Sequence, residues 1–223
     1  MATETRIVLV RHAETDWNFE QRFQGHTDTP LNELGRTRIG PVIEALRSWD
    51  PEIIITSDLS RAREMAEEAG VEFGLDVIAR EDLRECSYGS WEGKTLKEVR
   101  QDHGGDLDSW QSNEAGFQRG DGESLLEMQE RTLAAIESIA REHAGRTVVI
   151  FSHSGPVRSV ICRAFDLPID QRYRFEVSNA SLSAIRPRGD REWQVLLLNQ
   201  TNHLGTEPGM ISPVASQGGG EKG

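Results

Sequence analysis

Short apolar runs rich in β-branched residues alternate along the chain with stretches of helical periodicity. The runs predict strands at Arg6 to Val10, Ile53 to Thr56, Val77-Ile78, Thr147 to Phe151, Leu182 to Ile185 and Val195 to Leu198. The first, second and fourth runs are continuous, which is typical of central strands covered on both faces. The alternation therefore predicts an α/β fold, a three-layer α/β/α sandwich with a mainly parallel sheet. The last two runs are joined through Pro187 to Asp190, a connection short enough for an antiparallel edge strand.

Helix signals lie between these runs. The segments 95–98 (Thr-Leu-Lys-Glu) and 124–127 (Ser-Leu-Leu-Glu) have the spacing of a capping box, in which the first and fourth residues satisfy each other's backbone amides. A further helix is predicted from Asn32 to Trp49. It contains Gly40-Pro41, and we expect Pro41 to kink or split it, because proline removes a hydrogen bond and clashes with the preceding turn.

Composition and charge exclude several classes of protein. Apolar residues make up 36% of the chain, and no apolar run approaches the roughly 20 residues that span a bilayer. Met1 to Thr5 lack the features of a signal peptide, so we expect a cytoplasmic protein that begins at Met1. The net charge of −12 repels nucleic acid and anionic membranes, and we expect neither as a partner. The two cysteines are far apart, which fits a reducing compartment.

Polar residues follow three of the predicted strands. Arg11-His12, Arg61 and His153 come after the first, second and fourth runs. In a parallel sheet the carboxyl ends of the strands share one edge, so we expect these side chains to converge on a ligand there. Arginine binds phosphate bidentately, which favours a phosphate site. The other functional interpretation is a metal site at His12, Glu14 and His153, but neighbouring guanidinium groups would repel a cation, so we expect no metal and no cofactor.

Several motifs together give the chain a family resemblance. They are Arg11-His12-Ala13-Glu14-Thr15 with Asn18, Gln24-Gly25 with Asp28, Pro30 and Leu31, Ser57 to Ala62, Leu83-Arg84-Glu85, Tyr88 to Gly93, and Ser152-His153-Ser154-Gly155. With these motifs the chain resembles the histidine phosphatase superfamily, whose fold is phosphoglycerate mutase-like. Ala13 stands where that family more usually has glycine. The resemblance extends to about Gly205, and we expect one histidine phosphatase domain over 1–207 and a flexible tail over 208–223.

The resemblance also implies a role for individual residues. It makes His12 the nucleophile that becomes phosphohistidine and Glu85 the proton donor to the leaving oxygen. It assigns the phosphoryl oxygens to Arg11, Asn18, Arg61, His153 and Ser154. It assigns substrate contacts to Gln24, Gly25 and His203. From the residues alone, Glu85 is equally well a surface carboxylate, and His203 is equally well a packing residue near the C-terminus. The free amides of the helix that opens at Gly155-Pro156 are also expected to face the phosphate.

The resemblance favours hydrolysis of a phosphomonoester. The segment after Glu85 reads Cys-Ser-Tyr-Gly-Ser-Trp, without the Arg-His-Tyr-Gly stretch of cofactor-dependent phosphoglycerate mutases. The segments 179–181 and 199–205 resemble metal-independent phosphoserine phosphatases. We therefore expect a histidine acid-type phosphatase acting on a small phosphorylated metabolite, phosphoserine-like or of broad specificity.

Other functions stay open at this stage. They are a cofactor-dependent phosphoglycerate mutase, an α-ribazole phosphate or sugar phosphate phosphatase, and a catalytically silent scaffold that binds a phosphorylated ligand. The oligomeric state is open too, a homodimer included. The segment Asp102 to Gly122 is expected to lie over the mouth of the site, although its composition contains no readable specificity signal.

Overall fold

The computed structural model describes residues 4–102, 115–188 and 192–205. Within these ranges the strands β1 to β6 are Arg6–Arg11, Ile53–Ser57, Val77–Arg80, Thr147–Ser152, Leu182–Arg188 and Glu192–Gln200. The helices α1 to α6 are Asp16–Phe19, Glu33–Arg47, Ser60–Phe73, Leu96–Asp102, Leu125–Glu142 and Ser154–Ala164. The predicted tail over 208–223, and the 103–114 part of the segment expected over the site, lie outside the described residues.

The strands form one sheet in the order β3-β2-β4-β1-β5-β6. The first four are parallel, β5 is antiparallel to β1, and the edge strand β6 is antiparallel to β5. The predicted mainly parallel sheet with antiparallel pairing at one edge is confirmed. Strands β5 and β6 are longer than predicted because Pro187 pairs with Trp193. At that point β5 has passed the end of β1, so the missing proline N–H costs no ladder bond on that side.

Helices cover both faces of the sheet, as the three-layer prediction requires. Because side chains alternate along a strand, Val8 and Val10 of β1 pack with α2 and α3, and Ile7 and Leu9 pack with α5 and α6. Both capping boxes are present at the starts of α4 and α5. No helix within the described ranges is long and apolar enough to cross a membrane.

The prediction that Pro41 splits its helix is wrong. Helix α2 runs from Glu33 to Arg47 with Pro41 inside it. Its buried face carries Val42 and Leu46 into the core beside the sheet. Thr37, whose carbonyl loses its partner at Pro41, is exposed, so water can replace that hydrogen bond. Packing on the core therefore outweighs one missing backbone bond.

This arrangement makes Pro41 a stability test. We expect Pro41→Ala to raise the free energy of unfolding by roughly 1–3 kcal/mol. Alanine restores the helical hydrogen bond, and this gain exceeds the loss of the restriction that proline places on the unfolded chain. The measurement is urea unfolding followed by circular dichroism. Gly40→Ala is the matched control, since a Cβ there meets no atom within 4 Å, and it should add about 0.5–1 kcal/mol. A lower midpoint for Pro41→Ala would show that the ring itself packs favourably.

Candidate active site

The carboxyl ends of β1, β2 and β4 meet at one cleft. Arg11 pairs with Ser152 across the sheet, so the residues that follow β1 and β4 lie side by side. The rings of His12 and His153 have centroids 5.2 Å apart. The predicted residues that line the cleft are Arg11, His12, Asn18, Gln24, Gly25, Arg61, Glu85 and Ser154. The structure thus brings together residues from motifs more than 140 positions apart in the sequence.

His12 is held as a neutral imidazole with one free nitrogen. Its Nδ1 lies 2.7 Å from the Ala13 carbonyl oxygen. A carbonyl only accepts, so Nδ1 carries the proton and Nε2 keeps its lone pair. Burial, and after it the charges of Arg61 and Arg11, hold the pKa of His12 well below its ordinary value of 6.5. The ring is therefore an unprotonated nucleophile at neutral pH.

Arg11 and Arg61 are buried cations whose described partners are neutral. Arg11 Nη1 donates to the Val177 carbonyl at 2.6 Å. Arg61 donates to the carbonyls of Gly25 and Thr27 at 2.8 and 2.9 Å. The Nε atoms of both arginines are buried and have no hydrogen-bond partner in the described part of the chain. Burial lowers the pKa of each group to about 10, so both stay charged at neutral pH and attract an anion.

His153 lies beside His12 but is not itself among the residues that line the cleft. Its Nε2 lies 2.9 Å from Ser57 Oγ, and Nδ1 is buried without a partner among the described residues. Burial, followed by the charge of Arg61, holds the pKa of His153 well below 6.5. When the Ser57 hydroxyl donates to Nε2, Nδ1–H is left as a neutral donor.

Asn18 and Gln24 add amide groups whose oxygens are already bound. Asn18 Oδ1 accepts from the Thr15 backbone N–H at 3.1 Å and from Asn179 Nδ2 at 3.3 Å. Gln24 Oε1 accepts from the Thr29 hydroxyl at 2.6 Å. Because the oxygens are occupied, the amide nitrogens are the groups left to face a ligand in the cleft.

Glu85 lies at the amino end of α6. Its Oε1 accepts from the backbone N–H of Cys86 at 2.9 Å and of Gly155 at 3.0 Å. A Cβ on Gly155 would come within 2.2 Å of Oε1, so only glycine permits this approach. The amide of Gly155, expected to face the phosphate, instead donates to this carboxyl group.

The backbone of Glu85 is fixed by two further side chains. The Glu85 carbonyl accepts from His26 Nε2 at 2.9 Å and from Arg131 Nη2 at 3.2 Å. Glu92 joins this loop to the phosphate side of the cleft, since its carboxylate accepts from the amides of Thr27 and Tyr88. The general acid expected from the sequence is thus tied to the same framework as the arginines.

Asn179 fixes the loop that carries His12. Its Nδ2 donates to the carbonyls of His12 and Ala13 at 2.9 and 3.1 Å, and the next amide, of Ala180, donates to the carbonyls of Arg11 and His12. From the sequence alone, the segment 179–181 indicates only a resemblance to the family. Nothing in the sequence predicts that its amide reaches across to the nucleophile, because the contact joins the ends of two distant strands.

The structure does not place His203 with the other predicted residues. His203 is not among the residues that line the cleft, and its Nε2 donates to the Ala180 carbonyl at 3.0 Å. It therefore supports the turn that holds the His12 loop. Conversely, Arg158, Arg172 and Tyr173 line the cleft without having been predicted. The signal available for Arg158 is its position one turn into the helix that follows His153.

The cleft offers anion binding and a nucleophile rather than a metal cage. Among the described residues, no group of three or more His, Cys, Asp or Glu side chains is placed to hold a metal ion. Cys86 lines the cleft, but burial raises the pKa of its thiol to about 12, so it is a thiol and not a nucleophile. Two cations, a neutral imidazole and a carboxyl group suit phosphoryl transfer, which needs positioning and charge stabilisation above all.

Comparison with known proteins agrees with this geometry. A family model described as the histidine phosphatase superfamily (branch 1) matches residues 7–201. Phosphoserine phosphatase 1 of Hydrogenobacter thermophilus is 31% identical over 200 residues, covering 90% of this chain and 94% of that protein. Glucosyl-3-phosphoglycerate phosphatase of Mycobacterium tuberculosis is 33% identical over 172 residues, covering 74% of this chain and 77% of that protein.

A solved structure shows the same fold. Bacillus stearothermophilus YhfR matches with a TM-score of 0.83 and 32% identity, covering 90% of this chain and 99% of that one. The phosphoglycerate mutase-like fold expected from the sequence is thereby confirmed, as is the expected family. The chain belongs to the histidine phosphatase superfamily and is a phosphoric monoester hydrolase that acts on small phosphorylated metabolites.

Proposed function

We propose that the protein hydrolyses small phosphomonoesters such as phosphoserine through a phosphohistidine at His12. The observation that carries this proposal is the state of His12: a neutral ring with Nδ1 bound to a carbonyl and Nε2 free, set between two buried guanidinium groups. Arg11 and Arg61 bind the phosphoryl oxygens, and His153, Asn18 and Ser154 complete the set of donors around them. Gln24 and Gly25 contact the substrate from the facing loop.

The reaction proceeds in two displacements. His12 Nε2 attacks phosphorus, the ester P–O bond breaks, and Glu85 gives its proton to the leaving alkoxide. Water then attacks the phosphohistidine, its proton passes to Glu85, and the P–N bond breaks to release inorganic phosphate. Glu85 thus carries the proton at the start of the first displacement and regains one from water in the second.

Hydrolysis rather than mutase activity is favoured for this chain. Both curated relatives described above are named phosphatases, one of phosphoserine and one of glucosyl-3-phosphoglycerate, which supports hydrolysis of a phosphorylated metabolite. A phosphoglycerate mutase is the second candidate, and it would keep its phosphohistidine intact in water. Cytosolic location, a homodimer, the single domain over 1–207 and a substrate role for His203 stay predictions.

The nucleophile is tested by His12→Ala. We expect this variant to lose nearly all turnover of phosphoserine and p-nitrophenyl phosphate and to keep its fold, because covalent catalysis through His12 has no substitute route. The wild-type protein, quenched during turnover, should carry a phosphoryl group on His12 that is labile in acid and stable in base. The measurements are steady-state kinetics and intact-protein mass spectrometry. Near-normal rates in His12→Ala would overturn the proposal.

The proton donor is tested through the leaving group. Glu85→Gln should slow phosphoserine hydrolysis by roughly 10²–10⁴-fold, the usual range for general acid catalysis. It should slow the phosphorylation step with p-nitrophenyl phosphate far less, since that leaving group departs as a stable anion. Rapid-quench time courses with both substrates measure the step directly. Equal losses with both would assign the proton to another group.

The neutral state of the histidines predicts a pH dependence of stability. In the unfolded chain a histidine has a pKa of about 6.5, whereas the pKa values of His12 and His153 are held well below that in the folded protein. Below pH 6.5 the unfolded chain therefore binds more protons. The free energy of unfolding should therefore decrease as the pH is lowered, by up to about 1.4 kcal/mol per pH unit for each histidine.

Urea unfolding between pH 7.5 and 5.5, a range of roughly two units about the ordinary histidine pKa, measures this slope. The double variant His12→Gln, His153→Gln is the control and should show a shallower decline. The same slope in both proteins would mean that these rings are protonated in the folded state.

A further inference from the structure

A second cationic wall lines the cleft beside the phosphate site. Among the described residues that line it, Glu85 is the only carboxylate, whereas Arg158 and Arg172 are present in addition to Arg11 and Arg61. The first turn of α6 connects the two regions, because Ser154 follows His153 and its Oγ accepts from Arg158 Nε at 3.3 Å. Arg158 therefore lies beside the phosphate site in the same cleft.

Arg158 is buried and rigid. It is 1% exposed, and its Nη1 donates to the carbonyls of Arg172 and Phe175. Its Nη2 is buried without a hydrogen-bond partner among the described residues. The nearest carboxylate oxygen described for it is on Glu176, at 3.8 Å, which is too long for a hydrogen bond. The positive charge of Arg158 is therefore buried, and the side chains described around it balance that charge only in part.

Arg172 and Tyr173 extend the same wall. Arg172 is 4% exposed, and its guanidinium group lies 4.2 Å from the centre of the Tyr173 ring. The same ring lies 5.1 Å from the guanidinium carbon of Arg158. The Tyr173 ring thus contacts two guanidinium groups, and the planar fork of a guanidinium group matches a carboxylate better than a point charge.

We propose that Arg158, Arg172 and Tyr173 form a subsite for a carboxylate on the alcohol part of the substrate. The inference rests on the proposed function and narrows its substrate class to phosphomonoesters of short hydroxy acids. Arg158 is partly balanced by Glu176, so the subsite suits a monoanion better than the dianion of a second phosphate. Because Ser154 contacts both regions, the carboxylate must lie within a few bonds of the ester oxygen.

The proposal is tested with matched substrates that differ in the carboxylate. Phosphoserine is compared with phosphoethanolamine, and 3-phosphoglycerate with glycerol 3-phosphate. We expect kcat/KM of the wild-type protein to favour the carboxylate member of each pair by roughly ten- to hundredfold, the usual effect of a charge-assisted hydrogen bond. No preference in either pair would overturn the proposal.

Substitutions of Arg172 and Arg158 test which of these residues is responsible for the carboxylate preference. Arg172→Met should reduce the preference at least about tenfold, chiefly through a higher KM for the carboxylate member. Arg172→Lys keeps the charge and should retain part of the preference. Arg158→Lys probes the first arginine without removing its charge, since Arg158→Met endangers the fold that its carbonyl contacts maintain. Arg174→Met is the matched control: Arg174 lies with Arg172 in the 3₁₀ helix Ile169–Arg174, is exposed, and does not line the cleft.

Binding measurements test the carboxylate subsite independently of the phosphohistidine mechanism. Calorimetry on His12→Ala with 3-phosphoglycerate and glycerol 3-phosphate measures the carboxylate preference without turnover. Tighter binding of 3-phosphoglycerate that is lost in His12→Ala, Arg172→Met supports the subsite even if no phosphohistidine forms. Equal affinities, together with a normal phosphohistidine from p-nitrophenyl phosphate in the wild-type protein, overturn the subsite and leave the phosphatase mechanism standing.

Discussion

The site depends on two guanidinium groups buried at the edge of a parallel sheet. Their hydrogen-bond partners among the described residues are carbonyl oxygens and, for Arg61, also the Thr29 hydroxyl. Removing a cation from water is costly unless an opposite charge accompanies it. Neither Arg11 nor Arg61 donates a hydrogen bond to a carboxylate among the described residues, although the charge of Glu85 acts on both, so a bound phosphate supplies a direct anionic partner. Burial, and after it the same positive charges, disfavour protonation of His12 and His153. The buried arginines therefore attract the substrate and add to the effect of burial that keeps the nucleophile neutral.

The rest of the fold keeps these groups in register. Asn179 binds the His12 loop from one side, and Glu92 ties the loop of Gly25 to that of Tyr88 on the other. Glu85 is held at a helix end by the amide of Gly155. Asn179 and Glu92 hold the main chain of the loops that carry functional residues, whereas the amide of Gly155 holds the Glu85 carboxylate directly. Such a framework limits the reorganisation needed at the moment of reaction.

The sequence predicted the sheet and most of the site for identifiable reasons. Continuous apolar runs rich in β-branched residues are typical of strands covered on both faces, and ligand-binding residues at the carboxyl ends of parallel strands share an edge. Prediction failed where long-range packing overrides a local rule. Pro41 stays inside α2 because the buried face around Val42 outweighs the missing hydrogen bond. The amide of Gly155 binds Glu85, a contact between segments 70 positions apart.

The sequence by itself determined the strand pattern, the family and the chemistry-bearing positions, because these depend on residue types and on their local order. Only the tertiary structure decided which nitrogen of His12 is free, that His203 supports a turn outside the cleft, and that Arg158 and Arg172 form a wall beside the phosphate site. Those features depend on distances between groups that are remote in the chain. Such distances are set by how the helices pack on the sheet, and no short stretch of sequence records them.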